Sequence, residues 1–486
     1  MPPARGRLEK APPEPPAVEE PLKPVEVESS LHAQLFAEFL GTFLFSFCLG
    51  CNVLSKNVVW GGVSVASLLT ASIYSLGSIS GAHFNPAVSI GFGIVQVMGG
   101  KGIGLRKMLM YCAVQVAGSA LAGLCYCLAF WNTFDLGPGP GFGFWHIALC
   151  ETLYTFMLIF VVLNVRSASN NTPNHFYGLA IGFVYVAGAY GAARVSGGCF
   201  NPAVAIGIDL ASAYLGFGWS FAYLMFEVAG AAFAALVFSI VRPEDFDNGV
   251  KGSRVAQLVC EFLGTFMLVL TIGLNVLGKS PAAAYSVGAC LMCMAYAVCD
   301  VSGAHFNPSV TLAVFLSGRC PEKTPQRTKA KMCMYFGVQI VAAVLGAFTY
   351  STVYGGGSFR LGPGFVGEAW SPIALAEFAF TFLLCYVVLC VTVSKTTKNP
   401  SMFGLSMGAC ITVAGNAIGS ITGASLNPAV SLGIAACHRA SEGSLFAALY
   451  YSLVEILAGV CAAHAFNTTH ALDLQEEETI GPPSSA

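Results

Sequence analysis

Twelve apolar stretches, each near the ~20 residues needed to cross a hydrocarbon layer, run along this chain and fix the solvent in which it folds. In the first half they are Leu31–Val53, Val59–Ile79, Lys107–Trp131, Phe144–Val165, Phe176–Ala193 and Phe217–Val241. In the second half they are Val255–Val276, Tyr285–Val301, Ala330–Val353, Pro372–Val393, Phe403–Ile421 and Leu445–Phe466. Lipid offers no partner for a backbone N–H or C=O, so segments of this length have to be helices. Charged residues make up only 10% of the chain, against about 25% in soluble domains. A formal net charge of −2 gives no electrostatic basis for binding nucleic acid. The expected class is an all-α polytopic membrane protein whose first partner is the lipid bilayer.

Between these spans one tripeptide frame occurs four times: Asn85-Pro86-Ala87, Asn201-Pro202-Ala203, Asn307-Pro308-Ser309 and Asn427-Pro428-Ala429. The intervals are 116, 106 and 120 residues, and each copy follows Ser/Thr-Gly and three further residues. Copies one and three share Ser-Gly-Ala-His-Phe-Asn-Pro, whereas two and four diverge, so the repeat is nested: two halves per unit and two units per chain. Pro suits the first turn of a helix, where its missing N–H would be unpaired anyway, and Asn before it is a favoured N-cap. Each frame therefore starts a helix, too short to span. A half-length helix that starts inside the membrane leaves its free N–H groups and positive dipole end at the midplane. Two such ends meeting, each flanked by an Asn amide, can pass a polar neutral solute while opposing cations; this barrier is already known from aquaporin-type pores.

These residues, with Ala37-Glu38-Phe39-Leu40-Gly41-Thr42 and its counterpart Cys260-Glu261-Phe262-Leu263-Gly264-Thr265, make the chain resemble the aquaporin (major intrinsic protein) family twice over. The resemblance covers about Leu31 to Phe466. It implies two fused right-handed helical bundles, each with six spans and two re-entrant half-helices. The expected division is a disordered cytosolic tail (1–30), a first unit (31–241), a polar linker (242–254), a second unit (255–466) and a second cytosolic tail (467–486). It further implies one pore per unit for water or small neutral solutes such as glycerol, urea, ammonia or hydrogen peroxide. Because the family assembles four units around an axis, two chains would supply one assembly with four pores. No cofactor, metal or catalytic group is expected.

Four carboxylates, Glu38, Glu151, Glu261 and Glu377, fall within or at the ends of apolar spans, where an ionisable group is a functional candidate. The resemblance favours a structural role, accepting hydrogen bonds from the re-entrant loops; the alternative is proton-linked transport. Glu227 and Glu455, in the last spans, have no clear role. His83 and His305 lie two residues before a motif Asn, at loop-packing positions or at a pH-sensitive cytosolic gate. Family water pores carry an aromatic residue, a His and an Arg at an outer constriction. The matching positions here are Val65, Ala189, Gly198 and Val204 in unit one, and Val287, Gly415, Ala424 and Val430 in unit two. Neither set keeps the aromatic, the His or the Arg, so a wider, more apolar constriction is expected. Arg194 and Asp300 each sit seven residues before a motif Asn, as replacement filter charges or as vestibule residues.

Eighteen of the 23 Lys and Arg fall on the side shared by the tails and the linker, which predicts that both termini are cytosolic. The Asn-Xaa-Thr sequons at Asn170 and Asn467 would then be out of reach of glycosylation. Cys48/Cys51 and Cys290/Cys293 have CxxC spacing without nearby His and read as soft core residues. Two other functional classes stay open: a non-conducting or gated structural membrane protein of the same fold, and a coupled transporter, which also uses inverted repeats.

Overall fold

The computed structural model describes residues 29–246, 253–319, 324–363, 369–438 and 444–471. Nearly all of both expected tails, and the middle of the linker, lie outside the described residues. The first six spans are α1 (Leu31–Leu54), α2 (Gly61–Ser80), α4 (Leu105–Phe130), α5 (Phe144–Arg166), α6 (Tyr177–Ser196) and α8 (Trp219–Val241). Two short helices interrupt them, α3 (Pro86–Val97) and α7 (Pro202–Ala211). The second half repeats the order. Its spans are α9 (Arg254–Gly278), α10 (Ala283–Ser302), α12 (Pro325–Val353), α13 (Ser371–Val388, continued by a π turn Leu389–Val393), α14 (Phe403–Thr422) and α16 (Ser444–Thr469). Its short helices are α11 (Pro308–Leu316) and α15 (Pro428–Cys437). Among the described residues, twelve helices are long and apolar enough to cross a membrane, and no strand occurs.

The helix ends follow local sequence. The spans preceding each Asn-Pro frame, α2, α6, α10 and α14, all stop at a left-handed glycine: Gly81, Gly197, Gly303 and Gly423 have φ between 82° and 96°. Glycine meets no Cβ clash there. The chain then enters a loop with further left-handed residues that are not glycine. They are Ala82, Phe84, Phe200, Ala304, Phe306, Ala424 and Leu426, with φ of 49–54°. Each costs about 1–2 kcal/mol, so something has to hold these loops; the buried carboxylates described below do so.

The two units are locked side by side. Helices α5 and α6 of the first pack on α9 and α10 of the second. Across that seam the Tyr154 hydroxyl meets Thr271 Oγ1 at 3.0 Å, and Ser286 Oγ donates to Ala187 O at 2.8 Å. Phe176 stacks on Tyr296 with ring centroids 4.3 Å apart. Arg242, at the end of α8 and 1% exposed, reaches into the second unit, where Nη1 and Nη2 grip the Asp300 carboxylate. The same guanidinium donates to Asn164 Oδ1 at 2.8 Å and Ala297 O at 3.0 Å. Asp300, read from the sequence as a filter or vestibule charge, is half of an ion pair joining the units and also lines a cavity that opens on the linker side.

Candidate functional site: the paired Asn-Pro centres

At each frame the Asn is the N-cap of a short helix. The Asn85, Asn201, Asn307 and Asn427 Oδ1 atoms accept from the N–H two residues on, at 2.8–3.0 Å. The amide nitrogens face the other way and cross between half-repeats. In unit one, Asn85 Nδ2 donates to Phe200 O (2.7 Å) and Asn201 Nδ2 to Phe84 O (2.9 Å). In unit two, Asn307 Nδ2 donates to Leu426 O (2.8 Å) and Asn427 Nδ2 to Phe306 O (2.9 Å). So the two half-repeats of each unit meet Asn against loop. A carboxamide nitrogen carries two N–H groups, and one is used in this crossing.

The carboxylates hold the loops that present these amides. Glu38 accepts from the His83 and Phe84 N–H groups at 2.9 and 2.7 Å, from Ser80 Oγ at 2.6 Å and from Gln115 Nε2 at 2.8 Å. Glu261 repeats the set with His305 N, Phe306 N, Ser302 Oγ and Gln339 Nε2 at 2.7–3.0 Å. Glu151 takes Cys199 N and Phe200 N at 3.1 and 2.8 Å, and Glu377 takes Ser425 N and Leu426 N at 3.2 and 2.9 Å. Left-handed backbone aims successive N–H groups at one acceptor, a geometry that suits an anion. Sequence reasoning left Glu227 and Glu455 without a role. Glu227 accepts the N–H of Asn201 itself at 2.8 Å, and Glu455 accepts from Ser431 Oγ at 3.3 Å. Their shared place in the last span of each unit was the signal available.

Residues 26–238, 142–276 and 252–463 each match the sequence profile of the major intrinsic protein family, and together these stretches span nearly all of the described chain. The chain belongs to the major intrinsic protein family. The middle match covers the second half of one unit and the first span of the next, as expected of two head-to-tail copies. Relatives are single-unit in extent. Aquaporin NIP1-4 of Oryza sativa subsp. japonica is 32% identical over 43% of this chain and 76% of its own length. Aquaporin AqpM of Methanothermobacter thermautotrophicus is 29% identical over 44% and 99%. A solved aquaglyceroporin from Plasmodium falciparum aligns at 21% identity over 46% of this chain and 100% of its own, with a TM-score of 0.39.

In this tandem major intrinsic protein the two Asn-Pro centres sit in unlike surroundings. In unit two a cavity of about 500 Å³ runs from Asn307, Asn427 and His305 out to Phe359–Pro363, and all four of Val287, Gly415, Ala424 and Val430 line it. A second cavity, of about 740 Å³, opens on the linker side. His305 lines both, so it stands where they meet. The linker-side wall includes Asn170–Asn171 and Pro173–Phe176 from unit one, so each unit helps shape that mouth. In unit one the space beside Asn85 and Asn201 is only about 10 Å³. Val65, Ala189, Gly198 and Val204 do not line it. His83 does; its Nδ1 lies 3.0 Å from Ser89 Oγ and its ring stacks on Phe92. His305 Nδ1 pairs with Thr311 Oγ1 at 3.1 Å. Arg194 is exposed and lines none of these cavities. Among the described residues no cluster could hold a metal, and every cysteine is a free thiol.

Proposed function

We propose that the protein is a passive channel for water and small neutral solutes, of the size of glycerol or urea, with paired Asn amides and half-helix N-termini opposing cations. The observation that carries this reading is the unit-two centre, where Asn307 and Asn427 face a cavity of about 500 Å³ that abuts another of about 740 Å³. The constriction positions there are Val287, Gly415, Ala424 and Val430, all small or aliphatic. A ring without a fixed cation or an aromatic wall favours solutes bulkier than water and leaves charge exclusion to the helix ends. The curated relatives, named as aquaporins, agree with a channel of this kind. No residue beside the Asn pairs suggests chemistry on the solute, so the reading is a channel and not an enzyme.

The same reading includes a dimer of chains with cytosolic termini and domain limits near 31–241 and 255–466. The internal seam joins spans four and five of unit one to spans one and two of unit two. Repeating that contact between chains would join α13 and α14 of one copy to α1 and α2 of the other and close a two-fold ring of four units. The faces it would use are uncovered in the single chain: in the apolar windows of α5, α6 and α10, 72% of residues are buried, against 33–39% in α1, α2, α13 and α14, a range that α4, α12 and α16 share. Stopped-flow light scattering on proteoliposomes tests the channel reading. Shrinkage in sucrose followed by fast re-swelling in glycerol or urea is expected; rates equal to those of empty vesicles would overturn it in favour of a structural role.

A further inference from the structure

We infer that the two units have divided their roles: unit two carries the solute, and unit one is closed at its centre by an aromatic plug formed by Phe45 and Tyr185. The inference rests on the channel reading above and goes beyond it, since the repeat alone predicts one pore per unit. Thirteen residues line the small space in unit one, and eleven of their counterparts line the large cavity in unit two. The same positions on the same helices therefore bound a space of about 10 Å³ in one copy and, in the other, the inner part of a cavity of about 500 Å³ that further residues extend out to Phe359–Pro363. A single water needs roughly 10–15 Å³, so the unit-one centre has room for about one and for no file of them.

The side chains explain the difference. Aligning Glu38 with Glu261, and Asn201 with Asn427, sets Phe45 against Leu268, Tyr185 against Ile411 and Phe200 against Leu426. Each of these three aromatics of unit one is an aliphatic in unit two, whereas Phe84 and Phe306 match. The Phe45 and Tyr185 rings meet edge to face, with centroids 4.9 Å apart, and are 2% and 3% exposed. Tyr185 also lies 5.9 Å from Phe200 and lines the same small space as Asn85 and Asn201. The phenol thus takes up the room beside the amides that a passing solute would use. Leu268 and Ile411 lack the reach of a ring, and Asn307 and Asn427 line the large cavity.

Osmotic water flux and urea flux, measured in proteoliposomes at matched protein density, test the division. Transplanting the plug with Leu268→Phe/Ile411→Tyr should lower both at least tenfold. Removing it with Phe45→Leu/Tyr185→Ile should raise flux, by up to twofold. All four substitutions together should return it to about the wild-type value, which also shows that the transplanted variant folds. If Leu268→Phe/Ile411→Tyr keeps half or more of the flux, unit one conducts and the plug is refuted. A wild-type protein without flux would overturn the channel reading itself. The plug is then decided separately, by the reaction of Val88→Cys and Val310→Cys with a small membrane-impermeant thiol reagent, read by peptide mass spectrometry. At least tenfold faster labelling of the unit-two cysteine supports the plug; equal rates overturn it.

Discussion

Replacing Asp300 by Leu should loosen the seam between the units more than any other single change there. The Arg242 side chain is 1% exposed, so its charge stays buried when the carboxylate is removed. Only Asn164 Oδ1 and Ala297 O then remain as acceptors. Breaking a buried pair from one side costs about 3–5 kcal/mol. Asp300 is 30% exposed, which brings the cost below that range, to about 2–3 kcal/mol after allowance for screening. The reverse change, Arg242→Met, leaves a carboxylate that water can partly reach and should cost about 1–2 kcal/mol. The double variant removes both charges and should cost less than the sum, because an apolar pair of similar volume often replaces a buried ion pair at little loss. Denaturant unfolding of the full chain in mixed micelles, run as a double-mutant cycle, reads these values. A coupling of at least about 1 kcal/mol is expected, with little change between low and high salt, since a buried pair is poorly screened. An Asp300→Leu cost below about 0.5 kcal/mol, or strict additivity, would show that the pair does not join the units.

Three further outcomes follow from the geometry. Val430→Arg should reduce urea and glycerol flux at least fivefold and water flux by less than twofold, while Val204→Arg should change neither; equal loss of water and solute at Val430 would refute the constriction assignment. Glu261→Gln keeps one acceptor oxygen but turns an amide N–H toward the donors of His305 and Phe306. It should cost about 1–3 kcal/mol per unpaired donor and lower flux, whereas Glu38→Gln should destabilise equally with little effect on flux. His305 stands where the two unit-two cavities meet, so His305→Ala should raise urea flux and His83→Ala should not; the same urea flux in wild type and His305→Ala would exclude a restricting role for it.

Much of the fold was legible because lipid removes alternatives: a twenty-residue apolar run has to be a helix, and Asn-Pro after Ser/Thr-Gly has few uses other than starting one. The four loop-holding carboxylates were legible for the same reason, since an ionisable group inside a span needs partners. Phe45 and Tyr185 were not. Each sits in an apolar helix among many aromatics, and nothing in its spacing says whether a ring faces lipid, the seam or the pore. Only packing decides that, because α1 and α6 converge on the same centre from opposite half-repeats. Asp300 was half legible: it lines the linker-side cavity as a vestibule residue would, but its ion pair was hidden. Its offset from Asn307 matched that of Arg194 from Asn201, but its partner, Arg242, lies 58 residues away in the other unit. The sequence counted Arg242 as one more linker cation; its burial at the seam could not be read from charge alone.

The fusion itself makes the asymmetry intelligible. In an assembly of identical subunits, any substitution at the pore centre appears in every pore, so an aromatic at position 185 would close all of them at once. Here the two copies are encoded separately, and unit one can lose its passage while keeping what the assembly needs from it. It keeps the α5–α6 face that packs on α9 and α10, the Arg242 that grips Asp300, and the Asn170–Phe176 segment that walls the linker-side mouth of unit two. Its Asn-Pro centre keeps both cross-bonds and all three carboxylates, because those hold the bundle together whether or not solute passes. Intact Asn-Pro frames are therefore evidence of fold in each unit. Evidence of conduction has to come from the side chains around them, and those differ between the units at Phe45/Leu268 and Tyr185/Ile411.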